Sequence, residues 1–208
     1  MLEKEHSRSA SQQCYEILRD QILNGELPGG AKMVEEKVAA NLGVSRTPIR
    51  ESIRMLENEG LIVKKKVVQP TEKDLRNMFQ VRILLEGYSA ECAASYLDEE
   101  GVADLQECVR IGHTGTKEDI MVANEQFHDI IVRSSNNPVM IDIIDRMKSI
   151  IYLFRKTVVF YNRPQLIEEH QQILDAIKER DGKRAEQLMK EHLQADMVFC
   201  LHLLGDRH

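Results

Sequence analysis

Residues 38–62 read VAANLGVSRTPIRESIRMLENEGLI, and the punctuation of this stretch decides the first domain. Val38, Ala39 and Leu42 form the inner face of a short helix predicted from about Val34, and Gly43 stops it. Ser45 sits where an N-cap belongs. Pro48 falls near the first turn of the next helix, where a missing N–H does little harm. That helix runs from about Arg46 to Glu59, with Ile49, Ile53 and Leu56 inward, and Gly60 ends it. Upstream, Tyr15, Leu18, Ile22 and Leu23 recur at helical spacing between Ser9 and Asn24. Leu27-Pro28-Gly29-Gly30 is a turn. Downstream, Leu61–Val63 and Val67-Val68 read as two short strands around Lys64-Lys65-Lys66, and Pro70 closes the unit.

Three short helices, a glycine turn between the second and third, and a two-stranded flap make a winged helix-turn-helix. The third helix is the element such a unit lays in the major groove. Ser45 and Thr47 hydroxyls at its start, with free backbone N–H groups, suit phosphate. Arg46 and Arg50 lie four apart on one face, and arginine can bond guanine O6 and N7 through two parallel N–H groups. Lys65 and its neighbours in the flap suit phosphate oxygens. Residues 44–66 hold six basic side chains against three acidic ones.

This local excess stands in an acidic protein of 208 residues with a net charge of −6. Residues 1–70 carry 11 basic and 10 acidic residues, a net of +1; residues 71–208 carry 17 and 24, a net of −7. With 42% hydrophobic residues there is enough apolar surface to bury a core. No run approaches a membrane span and no apolar leader opens the chain. The four cysteines form no CxxC pair, so a reducing cytoplasm is the expected setting. Residues 1–8 are polar and expected to be disordered.

After Pro70 every segment has helical period. Helices are expected over about 71–96, 100–111, 116–134, 137–159, 163–180 and 181–204, with Gly112–Gly115 as a loop. The fold class is therefore mainly α: residues 9–70 as the winged unit, 71–208 as an all-helical bundle. Histidines lie on inward faces of three of these helices. Asn124 and His128 share one face. His170 stands in a stripe with Ile167, Leu174 and Ile177. His192 stands with Ala185, Leu188 and Phe199. Neutral imidazoles from three helices could converge on a divalent ion and leave positions open, or could be a polar network inside the core. Arg82 could meet a carboxylate or pair with Glu86 one turn on.

The 38–62 stretch resembles the DNA-binding motif of the GntR family of bacterial transcription regulators, whose pattern LxxGVSRTPxRExLxxLexEGLi it follows almost throughout. The resemblance implies that Arg46, Thr47 and Arg50 contact DNA, that Ser45 binds phosphate and that Glu51 holds an arginine. The family's wing has a glycine-containing tip; here the lysines stand in its place. The helical part resembles the FCD effector domain of the FadR subgroup, through Val81-Arg82, Leu85-Glu86, Asn124, Phe127-His128, Ser135–Pro138, Glu168–His170 and Glu191-His192. Many members hold a divalent metal through an aspartate and three histidines. These positions map to Asn124, a weaker neutral donor, and to His128, His170 and His192. Zinc or nickel, or manganese, is the implied ion, with an organic acid beside it that Arg82 would meet.

The expected protein is a homodimeric repressor of a palindromic operator, answering to a small carboxylate and having no membrane partner. Two alternatives remain within the regulator reading: a helical domain that only dimerises, and one that senses the metal itself. A metalloenzyme would need a base at the open position; Glu125 and Asp129 are one residue from Asn124 and His128 and point elsewhere.

Overall fold

The computed structural model describes residues 9–205; the stretch 1–8 expected to be disordered lies outside them. The chain separates into two compact units. One holds the residues through Gln69 with Arg146–Ile150, the other Pro70–Asp145 with the residues from Ile151 onward.

The first unit contains α1 (Ala10–Leu23), α2 (Glu35–Leu42), α3 (Arg46–Asn58), β1 (Ile62–Val63) and β2 (Lys66–Val67). Ser9 caps α1, accepting from the Gln12 N–H. Gly43 closes α2 with a φ of 67°, a left-handed conformation that glycine adopts without steric penalty. α1 packs on α3, and Leu18, Ile22, Ala39, Ile49, Ile53, Leu56 and Leu61 are buried between the helices and the flap.

The flap differs from its expected form in two ways. β1 and β2 pair Ile62 with Val67 and Val63 with Lys66, so Lys66 is in a strand and the tip is Lys64-Lys65 alone. Both tip residues have positive φ, 50° and 59°, which a two-residue hairpin with right-handed strand twist requires. The segment before α2 also joins the flap. Lys32 bridges to Lys66, the Met33 N–H donates to the Lys65 carbonyl and the Val67 N–H donates to the Ala31 carbonyl, both at 2.9 Å. The glycine-rich turn there hid an edge strand too short to show alternation.

The second unit is all helical: α4 (Glu72–Tyr96), α5 (Glu99–Thr114), α6 (Lys117–Ser134), α7 (Pro138–Phe160, apart from Arg146–Ile150), α8 (Leu166–Lys178) and α9 (Gly182–Gly205). Thr71 with Asp74 and Thr116 with Asp119 form reciprocal capping boxes that fix the starts of α4 and α6. α4 is the central helix, packed against α6, α8 and α9. It therefore faces each helix that carries a histidine of interest.

α5 runs on through Gly112 and His113 to Thr114, where the sequence suggested a loop. Gly112 is buried within the helix. A Cβ there would lie 2.6 Å from Cδ1 and 3.0 Å from Cγ2 of Ile167 on α8, so the glycine serves close helix approach rather than a turn. Gly112→Ala should destabilise by up to about 2 kcal/mol, an overpacking cost of about 1–3 kcal/mol less the roughly 1 kcal/mol gained in helix propensity. A lower urea midpoint at unchanged m-value would register it; an unchanged midpoint would mean that Ile167 moves aside freely.

Candidate functional site

Two places in the molecule gather chemistry. The first is the start of α3. Ser45 occupies the N-cap with extended backbone, yet its hydroxyl makes no capping bond, contrary to the expected cap. Ser45, Arg46, Thr47 and Arg50 are all exposed on this face. The arginines are held by α2. Arg46 Nη1 donates to Glu36 Oε1 at 2.9 Å, and Arg50 Nε reaches Glu35 Oε2 at 3.4 Å. Arg46 Nη2 also lies 3.7 Å from Glu35 Oε2. The restraining acids are thus Glu35 and Glu36, not Glu51, whose place on α3 faces solvent. Lys32, Lys64, Lys65, Lys66 and Arg46 line a groove of about 500 Å³ beside this face together with Glu35 and Glu36, so Lys65 and Arg46 share one groove in which five cations face two acids.

The second place is inside the helical unit. His128, His170 and His192, from α6, α8 and α9, are all buried, and one candidate ligand nitrogen from each lies within 4.8 Å of the others. His170 Nε2 and His192 Nε2 face each other at 3.3 Å. Carboxylates set the opposite sides of two rings. His128 Nδ1 lies 2.7 Å from Glu86 Oε2 and His192 Nδ1 lies 2.8 Å from Glu169 Oε2. Donation from Nδ1–H to these acids would leave Nε2 as a lone pair for an ion; at His192 the Arg163 guanidinium Nη2 also lies 3.1 Å from Nδ1. Phe127 stacks on His170 with centroids 4.1 Å apart and planes 11° apart, fixing the third ring.

Arg82 reaches the site through its own helix. Its Nε donates to Glu86 Oε1 at 2.6 Å, and its guanidinium lies 5.0 Å from the Phe79 ring centroid. Both partners of this pair are buried, and Arg82 Nη1 has no hydrogen bond among the described residues. Asn124, one turn before His128, is buried with neither amide atom bonded among those residues.

Arg163, Glu169 and Asp196 complete the surroundings and were not singled out from sequence. Arg163, in the α7–α8 connection, pairs with Glu169 and, through Nε at 2.6 Å, with Asp196 Oδ1. Burial opposes its charge, but the two carboxylates more than offset this and raise its pKa. Burial likewise raises the Glu169 carboxyl, while hydrogen bonds from His192 and Arg163 outweigh it and leave the pKa below the usual range. The α9 stripe also differs from expectation: Met189, Leu193 and Met197 are buried with His192, whereas Leu188 and Phe199 are half-buried.

Three imidazoles, two with a carboxylate at Nδ1, and an unbonded buried amide are a donor set that fits a divalent ion. Nitrogens each about 2.05 Å from a tetrahedral ion stand about 3.3 Å apart, the separation of the His170 and His192 Nε2 atoms. Beside them is a cleft of about 420 Å³ lined by His192, Glu168, Glu169 and Glu191 among others. A larger cleft of about 780 Å³, lined by Arg163, Lys190, Val198 and Phe199 among others, touches none of the three histidines.

The bacterial regulatory protein family named gntR matches residues 10–67, and the FCD domain family matches residues 77–195, more than half the chain. The chain belongs to the GntR family. This GntR-family chain is 28% identical over 206 residues to YdhC of Bacillus subtilis (strain 168), described as an uncharacterized HTH-type transcriptional regulator; the match covers 93% of the chain and 92% of the relative. It is 27% identical over 179 residues to the gluconate operon transcriptional repressor of Bacillus licheniformis, covering 79% of the chain and 74% of the repressor. A probable D-xylose utilization operon transcriptional repressor from Paenarthrobacter nicotinovorans is 28% identical over 194 residues, with 89% and 86% covered. Among solved structures, E. coli McbR/YncC superposes with a TM-score of 0.74 at 22% identity, covering 95% of this chain and 99% of that one; it shares the fold. The GntR-family chain is thus a transcriptional regulator with a DNA-binding head, and its relatives are regulators rather than enzymes. Among the described residues, no helix is long and apolar enough to cross a membrane.

Proposed function

We propose that the protein is a cytoplasmic, homodimeric repressor whose operator affinity is set by a small organic acid bound at a metal in the helical unit. Ser45, Arg46, Thr47, Arg50 and Lys65 are the DNA contacts in this reading: the arginines read base edges, and the others position the backbone. The heads of the two protomers take the half-sites of a palindrome. Residues 9–70 are the DNA-binding domain and 71–208 the effector-binding and dimerisation domain in this reading.

The buried histidine cluster is the observation that carries the sensor half of the proposal. His128, His170 and His192 hold the ion, with Asn124 as a neutral fourth donor; zinc and nickel suit this nitrogen-rich set best, and manganese is the third candidate. When bound, the ion supplies a Lewis-acid position for a carboxylate oxygen. Glu86 and Glu169 orient the imidazoles. Arg82 Nη1 is the remaining cationic donor for the acid. A relative named for a gluconate operon is in keeping with an acid effector.

The test uses a duplex enriched from a random library by the full-length protein. Fluorescence anisotropy then follows its affinity with and without zinc and a panel of small carboxylic acids. One acid should change the affinity by about 5–150-fold in the presence of metal. His170→Ala combined with His192→Ala should abolish that response while leaving acid-free operator binding and the dimer intact. An acid response that survives the double variant would place the sensor elsewhere.

A further inference from the structure

The cations of the head fall into two classes. Arg46 and Arg50 are held by acids of α2. Lys32, Lys66 and Arg54 are exposed and make no ion pair among the described residues. The two lysines face each other across the flap. Their bridge is flanked by the bond from the Met33 N–H to the Lys65 carbonyl and the bond from the Val67 N–H to the Ala31 carbonyl. Lys32 and Lys66 are therefore the non-hydrogen-bonded kind of antiparallel pair, in which side chains stand closest. Like charges directly opposite each other in this way are destabilising. The acids of the adjoining groove, Glu35 and Glu36, are already engaged by Arg46 and Arg50. A phosphate between the two ammonium groups would turn the repulsion into two charge-assisted bonds.

Arg54 lies on the outer face of α3, one turn past Arg50 and two past Arg46. Around the helix its position falls between those of Arg50 and Thr47, away from the buried Ile49, Ser52, Ile53 and Leu56. Eight residues from Arg46 is about 12 Å of rise, close to the roughly 12 Å width of the major groove. A recognition helix meets base edges with its N-terminal residues, so a side chain two turns further on is placed for the sugar–phosphate rim. The flap lysines share a groove with Arg46, near the other end of the helix. The unneutralised cations thus stand to either side of the acid-held arginines.

On the DNA-binding reading of the head, we infer that the Lys32–Lys66 pair and Arg54 form a two-sided phosphate grip that supplies sequence-independent affinity, leaving Arg46 and Arg50 to discriminate among bases. An arginine that must give up a carboxylate gains little from a phosphate. A free or repelled cation gains the whole charge-assisted contact, together with release of the counterion it displaces from the duplex.

Anisotropy titrations of the full-length protein between 50 and 200 mM salt test this, with a duplex enriched from a random library and a scrambled one. Lys32→Gln and Arg54→Gln should each weaken both duplexes about equally and reduce the slope of log affinity against log salt by about one per head. Over that salt range each variant should then lose about 3.5-fold less affinity per head than the wild type loses. Lys32→Gln should also raise the melting point of the free protein, by up to about 4 °C, because it ends a cross-strand repulsion. A lysine needed only for the structure of the flap would lower stability and binding together. Arg54→Lys keeps the charge and should keep the slope, which separates loss of charge from loss of shape. Lys178→Gln, at an exposed lysine of the helical unit, should leave the slope unchanged; an equal fall there would mean that the slope follows net charge, and would overturn the inference. A wild-type slope in either Lys32→Gln or Arg54→Gln overturns it while leaving DNA binding by the head intact. Weakening confined to the selected duplex overturns it too, and makes Arg54 a reader of bases. A wild type that binds neither duplex at 50 mM salt removes the DNA-binding reading itself.

Discussion

Glu86→Ala is expected to lower folding stability by about 3–5 kcal/mol, the usual consequence of removing one partner from a buried ion pair. Glu86 is fully buried and accepts from Arg82 Nε at 2.6 Å, with His128 Nδ1 2.7 Å from its other oxygen. Alanine would leave the Arg82 guanidinium, itself only 1% exposed, without its counter-charge and His128 without its anchor. At about 2–4 °C per kcal/mol for a protein of this size, the melting point should fall by roughly 6–20 °C. The combined Arg82→Met and Glu86→Leu change is expected to be milder than Glu86→Ala alone, because it removes both charges and refills the space. Thermal unfolding of the three proteins decides it. A Glu86→Ala melting point within a degree or two of wild type would show that water reaches Arg82.

The second large effect lies at the DNA face. Arg46→Ala and Arg50→Ala should each weaken binding to a library-selected duplex by about 1–3 kcal/mol, roughly 5- to 150-fold, if each makes a bidentate base contact. Each should also relax the preference at one base position. Lys65→Ala should behave differently, weakening selected and scrambled duplexes about equally and flattening the dependence on salt. Anisotropy titrations over a range of salt concentrations separate the two patterns. If Arg50→Ala behaved like Lys65→Ala, Arg50 would be a phosphate contact, and the bases would be read by other side chains.

The head was legible because its boundaries are marked by residues with few alternatives: Gly43 in a left-handed turn, Pro48 in a first turn, Gly60 after the third helix. The helical unit was legible from its period and its capping threonines. What escaped has common physical causes. Lys64 and Lys65 adopt positive φ without the glycine or asparagine that announces such a turn, because strand pairing on both sides imposes it. Gly112 looked like a helix stop because its reason, the Ile167 side chain, lies on another helix. The histidines themselves were readable from their inward faces. Arg163, Glu169 and Asp196 were not: a buried charge looks like a surface charge until its partner is placed, and these partners are separated by 6 to 33 positions in the sequence. Glu86 was visible only as the local partner of Arg82, since its bond to His128 depends on α4 packing against α6.

The pairing of Arg46 and Arg50 with Glu35 and Glu36 also bears on how the protein travels through a genome. A bare arginine pair gains from any phosphate it meets. Here each arginine exchanges one anion for another, so an arbitrary stretch of duplex gains little over the acids it displaces. Only a base edge offering a matched pair of acceptors makes the exchange clearly favourable. If these arginines contact DNA as proposed, shorter dwell times on irrelevant sequence are the expected result.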